Sequence, residues 1–275
     1  VCARTSDGGD GGQENLPDAP RTLASNASSA GPSVRGKGER PAARLRLQYE
    51  KRHPASYLSH LETLTLFHRA LRRSKLPIYY TGGEHPHPKM AFSPALPVGV
   101  ESLSEYLDLW FSRTPEAGEV EKGLNAVLPE GIFVQDARPV PLNASSLEQS
   151  IAWMEYVISF PEATPQTPSQ DDLKRAMEAF YDDNPSSGAA AAKEEKNRGN
   201  LRRAVKLEGK QDGHGLVCRI HRLSGSTASA MRVLKVLFPT SNRNGLRPRI
   251  IKTDAALLPP SPPAVASKRK LRNDK

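Results

Sequence analysis

The feature that most constrains the fold is an order of strand and helix patterns that occurs twice along the chain. In the first block, apolar and polar residues alternate with period two at 43–51, as they do along a half-buried strand. Apolar residues then recur every three or four positions at 57–74, which predicts an amphipathic helix, and Ser59 with Glu62 matches a capping box. The later segments predict a strand, a strand, a helix and a strand, at 76–81, 105–112, 115–128 and 131–140.

The second block repeats this order. A strand pattern at 153–160 precedes a helix at 169–181, for which Ser169 is the predicted N-cap. A hairpin, a helix and a closing strand follow, at 203–209 with 215–223, at 226–238 and at 247–253. The order β-α-β-β-α-β is that of ferredoxin-like units. We therefore predict an α+β protein with two tandem ferredoxin-like (βαββαβ) units, at 43–141 and 142–258.

Three stretches lack apolar periodicity and are predicted to lie outside the packed units. Residues 1–42 are rich in Gly, Ser, Ala, Asp and Pro and bury too little apolar surface to offset the entropy of ordering, which predicts a disordered tail. Residues 182–200 predict a loop inserted into the second unit. Residues 259–275 combine a proline-rich spacer with basic residues and predict a second disordered tail.

Positive charge is concentrated in the second block. The chain has a net charge of +9, and residues 197–258 hold 13 basic and 3 acidic residues. Such a concentration suits a polyanion, because neutralising phosphates releases counterions, and we therefore expect RNA binding. A basic surface that only keeps the protein soluble, or that compensates a helix dipole, is the alternative interpretation. The candidate contacts are Arg69, Arg72, Arg73, Lys89, Arg219, Arg222, Arg243, Arg247, Arg249 and Lys252.

The segment TGGEHPHPK at 81–89 is a second candidate site. Pro86 and Pro88 restrict its backbone and leave His87 little freedom. His60 lies on the first predicted helix, which should pack over the same sheet, so His60 and His87 are candidates for acid–base chemistry or metal binding. The alternative is a structural role, in which His87 locks the loop through a local hydrogen bond.

Several short strings resemble one known family. They are YLSHLE at 57–62, HRALRRSKLPIYY at 68–80 and PHPKMAFSPALPVGVES at 86–102, and RPRIIKT at 247–253 is similar to that family's closing motif. The family is that of the uncharacterised radical-SAM-linked proteins, whose members occur beside or fused to radical SAM enzymes. The resemblance implies a radical SAM protein as partner. Where family members have an aromatic residue and Asn before PHPK, this chain has Glu84 and His85.

The chain does not carry the cluster motif of a radical SAM enzyme. Its two cysteines, Cys2 and Cys218, cannot form the CxxxCxxC spacing, so the resemblance makes this chain the linked partner. We expect no cofactor and no bound metal, because two distant cysteines supply no four-ligand site. We also expect no membrane span, since no run of 18 or more apolar residues occurs.

These observations predict an accessory protein that binds RNA and helps a radical SAM partner address its substrate. Two alternatives stay open: an RNA-processing or RNA-modifying enzyme that uses the region of His60 and His87, and a protein–protein adaptor whose basic surface meets an acidic partner. The expected location is the cytoplasm. The low complexity of residues 1–42 and the alanine-rich stretch within 182–200 would also suit an organelle stroma or matrix.

Overall fold

The computed structural model describes residues 40–160, 167–182, 199–211, 214–222, 228–238 and 248–258. The tail predicted at 259–275 lies outside these residues, as do 1–39 of the N-terminal tail and 183–198 of the predicted insertion. Arg243 and Arg247, two of the candidate RNA contacts, also lie outside the described residues.

The first half forms its elements in the predicted order. They are β1 (Ala43–Lys51), α1 (His60–Arg73), β2 (Met90–Phe92), β3 (Glu101–Phe111), α2 (Ala117–Asn125) and β4 (Ile132–Val140). The capping box of α1 is confirmed, since the Glu62 N–H donates to the Ser59 hydroxyl at 3.3 Å and the Ser59 N–H donates to the Glu62 carboxylate at 2.7 Å. This reciprocal pair satisfies two N–H groups that would otherwise lack partners, and the helix therefore starts at His60.

The strand predicted at 76–81 is wrong. Within this segment Ile78 and Tyr80 make only isolated β-bridges, to Phe111 and Pro88. The Ile78 N–H donates to the Leu76 carbonyl within the segment, and Pro88 has no N–H that could extend a β-ladder. Extended pairing therefore starts only at β2, beyond the last proline of the loop.

The second half contains α3 (Leu147–Ser150), β5 (Ile151–Ser159), α4 (Gln170–Tyr181), β6 (Val205–Gly209), β7 (Gly215–His221), α5 (Ala230–Leu237) and β8 (Arg249–Leu257). Residues 199–204 are helical, so the strand predicted from residue 203 starts at Val205 instead. The N-cap predicted at Ser169 is confirmed, because its hydroxyl accepts a hydrogen bond from the Asp172 N–H at 3.1 Å.

The eight strands found among the described residues belong to one mixed sheet, in the order β4-β1-β3-β8-β5-β7-β6, with β2 paired to β3. The halves join where β3 and β8 run parallel, with Glu101 opposite Ile251 and Ser102 opposite Lys252. The other pairings are antiparallel. The predicted α+β class is therefore confirmed. In addition, the two halves share a single continuous sheet, which the sequence patterns did not predict.

Each half has its own apolar core between helices and sheet. In the first, Phe67 of α1 and Leu107 of β3 are fully buried together with Leu124 of α2. In the second, Ile158 of β5 packs in a cluster with Val233 of α5. Within the described residues, no helix is long and apolar enough to cross a membrane.

Candidate functional site

The segment at 81–89 is held against the C-terminal part of α1. The rings of His68 and His87 stack with their centroids 5.7 Å apart. The Thr81 N–H donates to the His87 carbonyl at 2.8 Å, and the His87 N–H donates to the Thr81 hydroxyl at 3.1 Å. These reciprocal bonds fix the loop, so the imidazole of His87 has a defined position beside the helix.

Exposed cations surround this pair of histidines. Arg69 and Arg72 are exposed on α1, one helical turn apart, and therefore lie on the same side of the helix. Burial lowers the pKa of His68 below its ordinary value of 6.5, and the nearby His87 and Arg72 lower it further. Two imidazoles beside a guanidinium thus form a site that is already positive before either ring is protonated.

Lys89 lies beside two aromatic rings, and the register of β2 with β3 places Lys89 and Trp110 on the face of the sheet opposite α1. Its ammonium lies 5.0 Å from the ring centre of Trp110 and 5.9 Å from that of Tyr79. The Lys89 N–H donates to the Tyr79 carbonyl at 2.9 Å, which fixes the backbone beside the same ring. We call His68, Arg69, Arg72 and His87 the α1–loop surface. It combines cations with planar rings, the two contacts that single-stranded nucleic acids use.

Arg73 has a structural role instead. Although it is exposed, its guanidinium donates to the Val127 carbonyl at 2.9 Å, two residues beyond the end of α2. This bond ties α1 to the turn that follows α2. Of the three arginines expected at this end of α1, Arg69 and Arg72 are therefore the better placed for an external ligand.

His60 and His87 do not meet at one site. The partner of His87 is His68, whereas the ring of His60 packs edge-on against Phe92 at 5.6 Å. His60 and His68 are eight residues apart on α1, which separates them by about 12 Å along the helix axis. No group of three His, Cys, Asp or Glu side chains within the described ranges could hold a metal ion.

Several candidate RNA contacts of the second half are bonded to acids or to the backbone. The Arg219 guanidinium donates to Glu155 at 3.1 Å, and Arg249 donates to Glu101 at 3.0 Å. Arg222 donates to a backbone carbonyl at 2.7 Å. Their charges are therefore offset by nearby acids or used in hydrogen bonds within the fold. These pairings depend on how the strands align, which a count of basic residues in the sequence does not show.

Lys252 lies inside the molecule, with 1% of its surface exposed. Its ammonium donates to Glu105 at 2.7 Å, and the hydroxyls of Ser93 and Ser102 donate to the same carboxylate at 2.8 Å each. Glu105 belongs to β3 and Lys252 to β8, so this bond crosses the junction between the halves. Lys252 therefore cannot contact an RNA phosphate in this conformation.

A second buried ion cluster lies further along β3. Asp108 is fully buried and accepts hydrogen bonds from Arg44 and Arg46 of β1, including 2.8 Å from Arg46 Nε. The Arg44 guanidinium also donates to the Ala144 carbonyl at 2.7 Å and lies 4.7 Å from the ring centre of Trp110. Sequence reasoning missed this cluster, although the alternating Arg44 and Arg46 of β1 and the acid at 108 in an apolar stretch of β3 are its signal.

One protein-family model matches the chain. A family model described as "Uncharacterized protein conserved in bacteria (DUF2344)" matches residues 44–244, which is more than half of the 275-residue chain. The chain belongs to this family. No curated protein matches it at a significant level. The DUF2344 match begins in β1 and ends beyond α5, so β8, the strand that joins the halves, lies outside it.

Proposed function

We propose that this DUF2344 protein is an RNA-binding accessory protein that helps a radical SAM partner address its substrate. The proposal of RNA binding rests on a contrast between two sets of cations. Arg69 and Arg72 are exposed, and within the described residues neither forms an ion pair with a carboxylate. Arg219 and Arg249, by contrast, are both bonded to glutamates. Cations that are not offset by acids attract phosphates most strongly.

Two kinds of contact are expected, the first from the α1–loop surface and the second from the opposite face of the sheet. Arg69 and Arg72 would bind phosphates and set the position of the strand without selecting its sequence. Lys89 with the rings of Tyr79 and Trp110 would receive an unstacked base, because aromatic rings and cations both favour a base face. This second contact favours single-stranded RNA over a duplex, in which the bases are not available for stacking.

The radical SAM partner rests on the resemblance of residues 57–102 to the radical-SAM-linked family. We also propose that the fold consists of two ferredoxin-like units. Their support is the strand order, which is β4-β1-β3-β2 in the first half and β8-β5-β7-β6 in the second. In each half the fourth strand therefore pairs with the first, the first with the third and the third with the second.

Fluorescence anisotropy with a labelled single-stranded RNA tests the proposal. We expect saturable binding of the full chain at about 150 mM salt, near the physiological ionic strength. The double variant Arg69→Ala/Arg72→Ala should bind about tenfold or more weakly, since each lost charged contact is worth on the order of 1 kcal/mol. Arg219→Ala/Arg249→Ala is the matched control, because it also removes two positive charges, and both of these arginines are paired with glutamates.

Two results would contradict the proposal. An adaptor without RNA function would show no saturable RNA binding at this salt concentration. Equal weakening by the control variant would mean that total charge, and not the α1–loop surface, sets the affinity. The partner is tested separately by copurification of the full chain with a radical SAM enzyme from the same organism, with and without ribonuclease.

A further inference from the structure

The α1–loop surface contains a stacked pair of imidazoles, those of His68 and His87. Their ring centroids are 5.7 Å apart and their planes differ by 27°. His68 belongs to α1, and the reciprocal hydrogen bonds between Thr81 and His87 hold the second ring in place. Two hydrogen bonds of about 2.8 Å placed end to end span about 5.6 Å, so one small anion can bond to both rings.

The polar groups of this pair are available to a ligand. In the part of the chain that the structure describes, neither imidazole bonds to a protein acceptor, and the Arg72 guanidinium does not either. His87 and Arg72 are exposed, and His68 is half-buried. A neutral imidazole donates one N–H, a protonated one donates two, and a guanidinium donates five. Three side chains therefore offer donors at this place.

The charges that act on this pair are positive. Burial lowers the pKa of His68, and His87 and Arg72 lower it further, while among the described residues no carboxylate opposes that shift. Burial also raises the pKa of the Tyr80 phenol, and the same Arg72 opposes that change. Glu84 is exposed on the loop, where water screens its charge. An anion that binds here would relieve the repulsion among these cations.

A terminal phosphate suits this site better than a phosphate inside a strand. A phosphodiester carries a single charge and two free oxygens. A phosphate monoester carries a charge of about −1.5 to −2 near pH 7 and has three acceptor oxygens. Three donor side chains match three oxygens, and two imidazoles that can take up protons match the additional charge.

We infer that His68, Arg72 and His87 bind the terminal phosphate of a single-stranded RNA. This inference rests on the proposed RNA binding and adds the part of the strand that the α1–loop surface recognises. Arg69 is then left for the neighbouring phosphodiester. Phosphates at the 5′ end and at the 3′ end share this chemistry, and separate RNAs distinguish them.

Fluorescence anisotropy of the full chain with four versions of one internally labelled RNA tests the site, at pH 7.5 and about 150 mM salt. The versions carry a 5′ phosphate, a 3′ phosphate, hydroxyls at both ends, or hydroxyl ends and one more nucleotide. We expect at least one phosphorylated RNA to bind fivefold or more tightly than the hydroxyl RNA, because hydrogen bonds between charged groups are worth more than about 1 kcal/mol. The longer RNA adds a phosphodiester charge and should bind like the hydroxyl RNA.

The double variant His68→Gln/His87→Gln should reduce this preference to less than twofold, because Gln keeps a neutral donor but cannot take up a proton. It should leave the affinity for the hydroxyl RNA nearly unchanged at pH 7.5, where His68 is uncharged in the empty site. His85→Gln is the matched control, since His85 is exposed on the same loop and has no ring contact in the described part of the chain. This variant should keep the full preference.

Three results would overturn the inference and leave RNA binding intact. They are equal affinity for phosphorylated and hydroxyl RNAs, an equal gain from the longer RNA, and a preference that survives in the double variant. If no RNA binds saturably, the proposed function fails, and nuclear magnetic resonance then decides the phosphate site alone. Millimolar adenosine monophosphate should shift the ring signals of His68 and His87, and adenosine should not. No shift with the monophosphate, or an equal shift with adenosine, would contradict the site.

Discussion

Replacement of Asp108 by Asn should destabilise the protein strongly, because Asp108 is the only carboxylate bonded to two buried arginines in the described part of the chain. Arg44 and Arg46 are 4% and 9% exposed, and Asp108 is fully buried. Removing one partner of a buried ion pair costs about 3–5 kcal/mol, since the remaining charge stays buried without compensation. The Arg44 guanidinium retains its bonds to the Ala144 and Ser145 carbonyls, so we expect about 3 kcal/mol.

Urea unfolding followed by circular dichroism measures this loss. With a slope of roughly 1–3 kcal/mol per molar urea, a loss of about 3 kcal/mol lowers the midpoint by about 1–3 M. The matched control is Asp136→Asn, because Asp136 is 38% exposed and pairs with Arg138, which is 77% exposed. This exposed pair is worth less than about 1 kcal/mol. Equal loss of unfolding free energy in the two variants would refute the reasoning that burial decides the value of the pair.

Three further predictions concern the backbone, the cysteine and the histidine pair. Gly131→Ala should lower the free energy of unfolding in urea by about 1–3 kcal/mol, because Gly131 has φ +87° and a Cβ there would lie 2.7 Å from the Arg52 carbonyl oxygen. Gly118 lies on α2 with open space around it, so Gly118→Ala is the control and should not destabilise the protein. Burial raises the pKa of Cys218 to about 12, so maleimide should not label this thiol in the folded protein. Mass spectrometry locates the labelled cysteine, and rapid labelling of Cys218 in the native protein would contradict the prediction. RNA affinity should rise as the pH falls below about 6.5, because His68 gains its charge only at low pH, and His68→Gln should flatten that dependence.

Local features of the fold could be predicted because their signals are local. The capping box of Ser59 with Glu62 and the N-cap at Ser169 are short patterns whose hydrogen bonds span three residues. The strand at 76–81 could not be predicted correctly, because its apolar alternation is present but the Ile78 N–H bonds within the segment and Pro77 and Pro88 have no N–H, so only isolated bridges form. The single sheet depends on the pairing of β3 with β8, which joins residues about 150 positions apart in sequence.

The candidate site could be predicted only in part, because it also depends on contacts between residues that are far apart in the sequence. Arg72 was expected as an RNA contact and His87 as a residue for acid–base chemistry or metal binding, but the ring that stacks on His87 is that of His68, which follows only from the path of the loop. The charge count of the second half overstated the free cations, because Arg219 and Arg249 are bonded to Glu155 and Glu101. The pairing of each acid with a base depends on strand register, which cannot be read from the composition of the chain.

The salt dependence of RNA affinity tests the central claim most directly. For single-stranded RNA, each lost phosphate contact reduces the slope of log affinity against log salt by about 0.7, so Arg69→Ala/Arg72→Ala should reduce it by about 1.4. Arg219→Ala/Arg249→Ala removes the same formal charge from residues that are bonded to glutamates, and it should leave the slope nearly unchanged. A reduced slope in the second variant and an unchanged slope in the first would contradict the assignment of RNA binding to the α1–loop surface.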